Sequence, residues 1–192
     1  MNNITISRRL YEYATLQSKI EKKNQKDDTE RIAELLDIHN GEMILDIGSG
    51  NGSMAFEFSR MVGETGCVFA ADIDEELLEQ IRNREMPYNN VHTLYLENDK
   101  ILLNYKYDLI FLRDVFHHLT DPITLFKQLR SCLNQNGRVA IIDWDENAGI
   151  FVKLTGHYTP EKKIMSAMDV AGYKICMSYS YFSGQSFNIF SV

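Results

Sequence analysis

The chain has 192 residues, a formal net charge of −7, and 44% hydrophobic residues. This length and composition are typical of one globular domain with a substantial core, rather than of a disordered or fibrous protein. The negative charge argues against general nucleic-acid binding, which needs lysine and arginine to neutralise phosphates. No apolar run approaches the roughly 20 residues that span a bilayer, so we expect no membrane partner.

The N-terminal residues favour a cytoplasmic protein, and the cysteines indicate neither a redox nor a metal site. Residues 1–9 lack the hydrophobic region of a secretory signal. Cys67, Cys132 and Cys176 lie far apart within apolar patterns and form no C-x-x-C pair, so we interpret them as small buried hydrophobic residues. No histidine or cysteine spacing is typical of a metal site, and we predict none.

The elements predicted first along the chain form an N-terminal helical cap over residues 1–26. Apolar side chains recur there at helical spacing, and a polar connection follows. Residues 27–192 then alternate strands with helices. Such alternation predicts an α/β fold with a doubly wound, mostly parallel sheet that is covered on both faces.

Seven strands are predicted in residues 27–192. They cover residues 43–47, 67–71, 92–96, 107–112, 138–143, 173–181 and 186–192. The last two are joined by a turn too short for a crossover helix, so we expect that pair to be antiparallel. Helices are predicted between the other strands, and the helix after the fourth strand is expected to keep Leu133 on its inward face. Residues 146–158 are expected to form only a loop ahead of the last helix.

The most informative motif follows the first strand. Asp46 precedes glycines at alternate positions, Gly48, Gly50 and Gly52, and a helical pattern comes next. Glycine lets the backbone turn sharply and lets a ligand approach main-chain N–H groups at the helix N-terminus. Asp72 closes the next strand at a spacing that suits hydrogen bonds to a ribose. We therefore predict an adenosine-containing cofactor.

The glycine spacing distinguishes the cofactor classes. The dinucleotide fingerprint G-x-G-x-x-G fails because Ser53 takes its third glycine position, and no Gly-Lys-Ser/Thr phosphate-loop ending occurs. The observed Asp-x-Gly-x-Gly-x-Gly pattern at residues 46–52 resembles the glycine loop of class I S-adenosylmethionine-dependent methyltransferases. An NAD-dependent oxidoreductase shares the fold and is the less favoured alternative.

Further segments extend this resemblance in order over residues 30–145. Residues 71–74 look like the ribose-binding strand end, residues 107–111 like the fourth strand, residues 116–122 like the loop after it, and residues 133–139 like the turn before the fifth strand. The chain most resembles small ubiquinone/menaquinone-biosynthesis-type methyltransferase domains, which carry counterparts of Asp143-Trp144 and Gly156-His157. The resemblance implies a Rossmann-like, seven-stranded sheet with one antiparallel C-terminal strand.

The resemblance also implies S-adenosylmethionine as the cofactor, bound at the carboxyl ends of the strands. The glycines would shape the loop, Asp72 would hold the ribose hydroxyls, and Ile73 would lie against the adenine. Residues 1–22 are expected to fold over the cofactor. The full set of predicted cofactor-binding residues is Asp46, Gly48, Gly50, Gly52, Asp72, Ile73, Glu97, Asn98 and Arg113.

Candidate catalytic residues follow the fourth and fifth strands. Methyl transfer needs in-line approach of the acceptor, and a base only when the acceptor is protonated. The candidates are His157, Asp143 and His117, with His118 beside His117. The loop before the last helix is expected to bring His157 near Asp143 and Trp144. The predicted function is methyl transfer to a small-molecule acceptor. A non-catalytic protein that binds S-adenosylmethionine or S-adenosylhomocysteine is the alternative.

Overall fold

The computed structural model describes residues 28–85, 89–96, 105–180 and 182–192. The chain divides into two compact units, residues 1–37 and 38–192. The described part of the first unit contains helix α1 over residues 28–35, in which Ile32 and Ala33 are fully buried. The predicted cap over residues 1–26 lies outside the described residues and stays a prediction.

The second unit is built on one seven-stranded sheet. Its strands are β1 (Met43–Ile47), β2 (Cys67–Asp72), β3 (Val91–Tyr95), β4 (Tyr107–Arg113), β5 (Leu133–Trp144), β6 (Lys174–Tyr179) and β7 (Gln185–Ser191). Its helices are α2 (Ser53–Val62), α3 (Glu75–Arg82), α4 (Pro122–Arg130), α5 (Ile150–Thr155) and α6 (Glu161–Val170), and a 3-10 turn covers Phe116–His118.

The strands lie in the order β3-β2-β1-β4-β5-β7-β6. β1 pairs in parallel with both β2 and β4, so the order of strands along the sheet reverses between β1 and β4. β7 runs antiparallel to both of its neighbours, β5 and β6. The predicted doubly wound α/β fold, with one antiparallel C-terminal strand, is confirmed.

Local sequence explains where the helices begin and what they cover. Asp74 caps α3 by accepting hydrogen bonds from the N–H groups of Glu76 and Leu77, and Asp121 caps α4 ahead of a proline at its first position. The central strands β1 and β4 are almost wholly buried, as expected of parallel strands with helices on both faces. Among the described residues, no helix combines the length and the apolar character needed to cross a membrane.

Three predictions about individual segments are wrong. Leu133 belongs to β5 rather than to the inward face of α4, because β5 pairs with β4 from this residue onward across an irregularity in register. The segment 146–158 is not only a loop, since it contains α5, which ends at Gly156 in the left-handed conformation with φ 73°. Cys176 is exposed rather than buried, because β6 is the last strand of the sheet.

Candidate active site

The glycine loop between β1 and α2 is held against β2 by its own amides. The N–H groups of Gly48 and Ser49 donate to the carbonyl of Ala71 at 2.7 and 3.1 Å. The Gly50 N–H donates to Oδ2 of Asp72 at 2.8 Å. Because these three N–H groups have intramolecular partners, a ligand would contact the Cα atoms and carbonyl groups of this part of the loop rather than these N–H groups.

Two of the loop glycines are required for different reasons. Gly48 has φ 72°, and a Cβ atom at this position would overlap the side chain of Val115. Gly50 has φ 55°, yet no heavy atom lies within 4 Å of the position that its Cβ would take. Gly48 therefore permits the close approach of the segment after β4, whereas Gly50 keeps an open surface on the loop.

Two buried polar atoms near the loop have no hydrogen-bond partner among the described residues. They are Oδ2 of Asp46 and Oγ of Ser49. Asp46 is only 2% exposed, and burial together with the charge of Asp72 raises its pKa to about 7. A buried carboxylate is stabilised in its charged form by a nearby cation. A positively charged ligand near Asp46 should therefore lower its pKa and favour the charged carboxylate.

Asp72 connects the glycine loop to the start of α3. While its Oδ2 accepts from Gly50, its Oδ1 accepts from the N–H of Asp74 at 3.0 Å. A carboxylate offers about four acceptor positions, so Asp72 retains capacity for hydroxyl groups of a ligand. The neighbouring Ile73 is 69% exposed, which leaves an apolar side chain beside this carboxylate.

A cavity of about 550 Å³ opens at the carboxyl ends of β1, β2 and β4. It lies where the strand order reverses, which is the usual ligand position in open parallel sheets. Its volume falls within the roughly 300–1,000 Å³ of small-molecule sites. The glycine loop, the ends of the strands and the segment after β4 line it, including Ile47, Gly48, Asp72, Ile73, Arg113 and His118.

The cavity wall after β4 contains an unusual backbone conformation at Asp114, which has φ 56°. Few residues other than glycine adopt this region, and such residues cluster at functional sites. The Asp114 N–H donates to the carbonyl of Ile142, and its Oδ1 accepts from Nε2 of Gln185, at 2.9 and 2.8 Å. Burial raises the pKa of Asp114, and the charge of Arg113 opposes that rise.

A second polar group lies at the end of β5. Asp143 is fully buried, and its Oδ1 lies 2.7 Å from Nδ1 of His117. The backbone N–H groups of His117 and Trp144 also donate to this carboxylate, each at 2.8 Å. Burial raises the pKa of Asp143, although the hydrogen bond from His117 acts in the opposite direction. Nδ1 faces Asp143, so Nε2 is the nitrogen of His117 that this carboxylate leaves without a bond, and the His117 side chain is only 5% exposed.

Three imidazole rings meet beside Asp143. The ring centre of His118 lies 4.0 Å from that of His117, and the His157 ring lies 5.6 and 5.4 Å from these two. Burial and the charges of the other two histidines lower the pKa of His118. His118 also lines the cavity at the strand ends. Of the three histidines, His118 therefore adjoins the cavity directly.

These features agree with the similarity of the chain to known proteins. A family model described as a methyltransferase domain matches residues 16–188. The chain belongs to this methyltransferase domain family. It is 25% identical over 143 residues to the ubiquinone/menaquinone biosynthesis C-methyltransferase UbiE of Vibrio vulnificus, and the match covers 70% of the chain and 55% of that protein. It is 31% identical over 119 residues to an uncharacterised 37.1 kDa protein from a Streptomyces fradiae transposon. That match covers 57% of the chain and 33% of the transposon protein.

Solved methyltransferase structures share the fold. A SAM-dependent methyltransferase from Aquifex aeolicus superposes with a TM-score of 0.72 at 24% identity, over 84% of this chain and 89% of that chain. Magnesium protoporphyrin IX methyltransferase from Synechocystis PCC 6803, solved with bound SAH, superposes with a TM-score of 0.68 at 16% identity. The match covers 89% of this chain and 83% of that chain. The predicted resemblance to class I methyltransferases is confirmed for family and fold. The chain spans 33% and 55% of the two curated relatives named above.

Within this methyltransferase domain, most of the predicted cofactor residues lie together at the strand ends. Gly48, Asp72, Ile73 and Arg113 line the cavity, whereas Asp46 at the end of β1 and Gly50 and Gly52 in the loop after it are not among its described lining residues. Glu97 and Asn98 lie outside the described residues. Val115 and Leu119 line the same cavity and were not predicted from the sequence. Their apolar side chains give no sequence signal that separates them from core residues.

The three catalytic candidates also lie together, in an arrangement that differs from the expected one. The loop before α6 does return to β5, where the Thr159 N–H donates to the carbonyl of Trp144 at 2.8 Å. The residue bonded to Asp143 is His117, and His157 stacks on the His117 ring. Among the described residues, no group of three or more histidine, cysteine or acidic side chains is arranged to hold a metal ion.

Proposed function

We propose that the chain binds S-adenosylmethionine in the cavity at the strand ends and transfers its methyl group to a small-molecule acceptor by in-line displacement. The residues fit this cofactor. Asp72 has acceptor capacity for ribose hydroxyls beside the exposed Ile73, which offers an apolar surface to adenine. The unpartnered oxygen of the Asp46 carboxyl group lies near the glycine loop, where a cationic ligand would favour its charged form.

The pair formed by Asp143 and His117 carries the catalytic part of the proposal. When bound, the cofactor supplies a methyl group on a positively charged sulfur. The 2.7 Å contact between Asp143 and Nδ1 of His117 fixes the ring and directs Nε2 away from the carboxylate. We infer that His117 removes the proton of a hydroxyl or phenol acceptor and that Asp143 stabilises the resulting imidazolium.

Several observations support a small acceptor. The segment between β5 and α6 contains one short helix, α5, rather than an inserted lid domain. The net charge of −7 disfavours a nucleic-acid acceptor.

The three free cysteines, Cys67, Cys132 and Cys176, suit a reducing compartment, and we infer that the protein acts in the cytoplasm.

The proposal is tested by measuring S-adenosylhomocysteine release from S-adenosylmethionine with a panel of small phenols, alcohols, amines and thiols. With a hydroxyl or phenol acceptor, we expect His117→Ala to lower turnover by about 10²-fold or more, as for loss of a general base. Its affinity for S-adenosylhomocysteine should stay unchanged. His39→Ala is the matched control, because the His39 side chain is 68% exposed and contacts Glu42 rather than the histidine cluster.

His157 is tested in parallel. Because its ring stacks on His117, His157→Ala should lower turnover less than His117→Ala does. Near-normal turnover of His117→Ala would remove His117 from the mechanism. Cofactor binding without turnover of any panel member would favour the non-catalytic alternative.

A further inference from the structure

A second cavity lies toward the edge of the sheet formed by β7 and β6, and we refer to it as the α6 cleft. It has a volume of about 220 Å³ and lies between the first turn of α6 and the facing ends of β5, β6 and β7. Its lining is predominantly polar and includes Asp145, Asn147, Glu161, Ser178, Gln185 and Ser186. None of these residues lines the cavity assigned to the cofactor.

The sheet register directs Ser186 toward α6. Ser186 lies directly opposite Asp143 on β5, and Ser178 lies opposite Asn188, which is two residues further along β7. Opposed residues, and residues two apart on one strand, point to the same face of a sheet. The Ser178 hydroxyl donates to Oε1 of Glu161 at 3.4 Å, so this face carries α6. The side chain of Ser186 therefore lies on the face of the sheet that carries α6, and Ser186 lines the α6 cleft.

Ser186 has an unmet hydrogen-bonding requirement. It is 6% exposed, and its Oγ has no partner among the described residues. Asn188 on the same face is fully buried, and both polar atoms of its side chain also have no partner in the described part of the chain. A buried polar group without a partner costs about 1–3 kcal/mol. A ligand in the cleft that bonds Ser186 would recover part of this cost.

The charges that line the cleft are negative. Asp145 accepts hydrogen bonds from the N–H of Glu161 at 2.8 Å and from Nδ2 of Asn147 at 3.2 Å. Glu161 accepts through Oε1 from the Ser178 hydroxyl. The described lining holds these two carboxylates and neither lysine nor arginine. Such a site favours a cation that carries hydrogen-bond donors.

Tyr179 and Phe182 also line the cleft. The Tyr179 ring packs against Phe187, and the Arg113 guanidinium already lies 5.9 Å from the centre of the Phe182 ring, so the preference for a cation rests on the carboxylates. The volume equals about seven water molecules at about 30 Å³ each, which accommodates only a small group. Because the described residues contain no metal-binding arrangement, an organic cation suits the cleft better than a metal ion.

We propose that the α6 cleft binds the ammonium group of a small organic molecule. The ammonium donates to Oγ of Ser186 and to the carboxylate of Glu161, and Asp145 adds a second negative charge. The proposal goes beyond methyl transfer, since binding here requires neither the cofactor nor turnover.

The test is a titration of the full ¹⁵N-labelled chain, followed by NMR. Ethanolamine is the cationic probe, ethylene glycol is its neutral counterpart, and glycolate is the acidic one. We expect saturable shifts at the amides of Asp145, Ser178 and Ser186 with ethanolamine, and at least tenfold weaker binding of the other two probes. Equal binding of ethylene glycol, or shifts confined to other parts of the chain, would overturn the proposal.

Two variants and one matched control assign the binding to this cleft. Glu161→Gln should weaken ethanolamine binding at least tenfold, and Ser186→Ala at least threefold. Glu76→Gln makes the same chemical change on an exposed residue in the first turn of α3 and should bind ethanolamine like the wild type. An unchanged dissociation constant in Glu161→Gln would contradict the proposal.

Binding of S-adenosylhomocysteine, measured by calorimetry on the same samples, separates the two proposals. Retained cofactor binding without ethanolamine binding would overturn only the α6 cleft. Ethanolamine binding in a wild-type chain that does not bind S-adenosylhomocysteine would count against the proposed function alone.

Discussion

The two halves of the candidate active site are built differently. In the cofactor half, at the ends of β1, β2 and β4, the backbone does most of the positioning, as the amides of Gly48 and Gly50 show by bonding to β2 and its terminal Asp72. In the acceptor half, at the end of β5, side chains from separate segments contact one another, as Asp143 and His117 do. Changes in the cofactor half should therefore disturb fold and affinity, whereas changes in the acceptor half should disturb turnover.

The largest expected effect separates two glycines within the cofactor half. Gly48→Val should destabilise the fold by about 3–5 kcal/mol, because overpacking against Val115 adds to left-handed backbone strain. Gly50→Val should cost only about 1–3 kcal/mol, since its side chain meets open space. It should nevertheless abolish cofactor binding by covering the loop surface. Urea denaturation and calorimetry measure the two effects, and normal binding by a folded Gly50→Val chain would show that the loop is misassigned.

The next prediction concerns the pH dependence of stability. Since the pKa of Asp46 is raised from 3.8 to about 7, the folded chain holds a proton between these pH values that the unfolded chain has released. Stability should therefore fall as the pH rises from about 4 to about 7, by about 3–4 kcal/mol from this residue. Asp46→Asn should flatten the curve, with a residual slope because the pKa values of Asp114 and Asp143 are also raised.

Urea denaturation of both chains at several pH values checks this prediction. Parallel curves for the wild type and Asp46→Asn would show that Asp46 does not titrate in this range. S-adenosylmethionine carries a positive charge on its sulfur. If it stabilises the charged form of Asp46, adding it should reduce the difference in pH dependence of stability between the wild type and Asp46→Asn.

The smallest of these effects concerns Asp72. Asp72→Ala should weaken S-adenosylhomocysteine binding by about 1.5–3 kcal/mol, the range for hydrogen bonds to a charged group. Asp74→Ala is the matched control, because Asp74 caps α3 and its loss should cost about 1 kcal/mol of stability with little change in affinity. Equal affinity losses in the two variants would mean that the start of α3, rather than Asp72, determines binding.

The same contrast explains what could be read from the sequence. The cofactor half depends on short-range patterns, in which an apolar strand, an acidic residue and alternating glycines lie within a few positions of one another. The antiparallel β7 was also predictable, because a short turn before it permits no other pairing. These features depend on residues that are close together in the sequence, so the sequence alone predicts them.

The acceptor half could be predicted only in outline. The sequence indicated that His117, Asp143 and His157 follow strands at the same edge and that His157 lies near Asp143, but it did not indicate the direct contact between His117 and Asp143. The observed contact joins residues 26 positions apart and depends on how the 3-10 turn after β4 meets the end of β5. α5 was missed because its six residues are too few to show a helical period clearly.

Calorimetric titration of the wild-type chain with S-adenosylhomocysteine, and separately with NAD, tests the central claim most directly. We predict a micromolar dissociation constant for S-adenosylhomocysteine, which corresponds to roughly −8 kcal/mol, and no measurable heat with NAD. Binding of NAD together with no binding of S-adenosylhomocysteine would contradict the account.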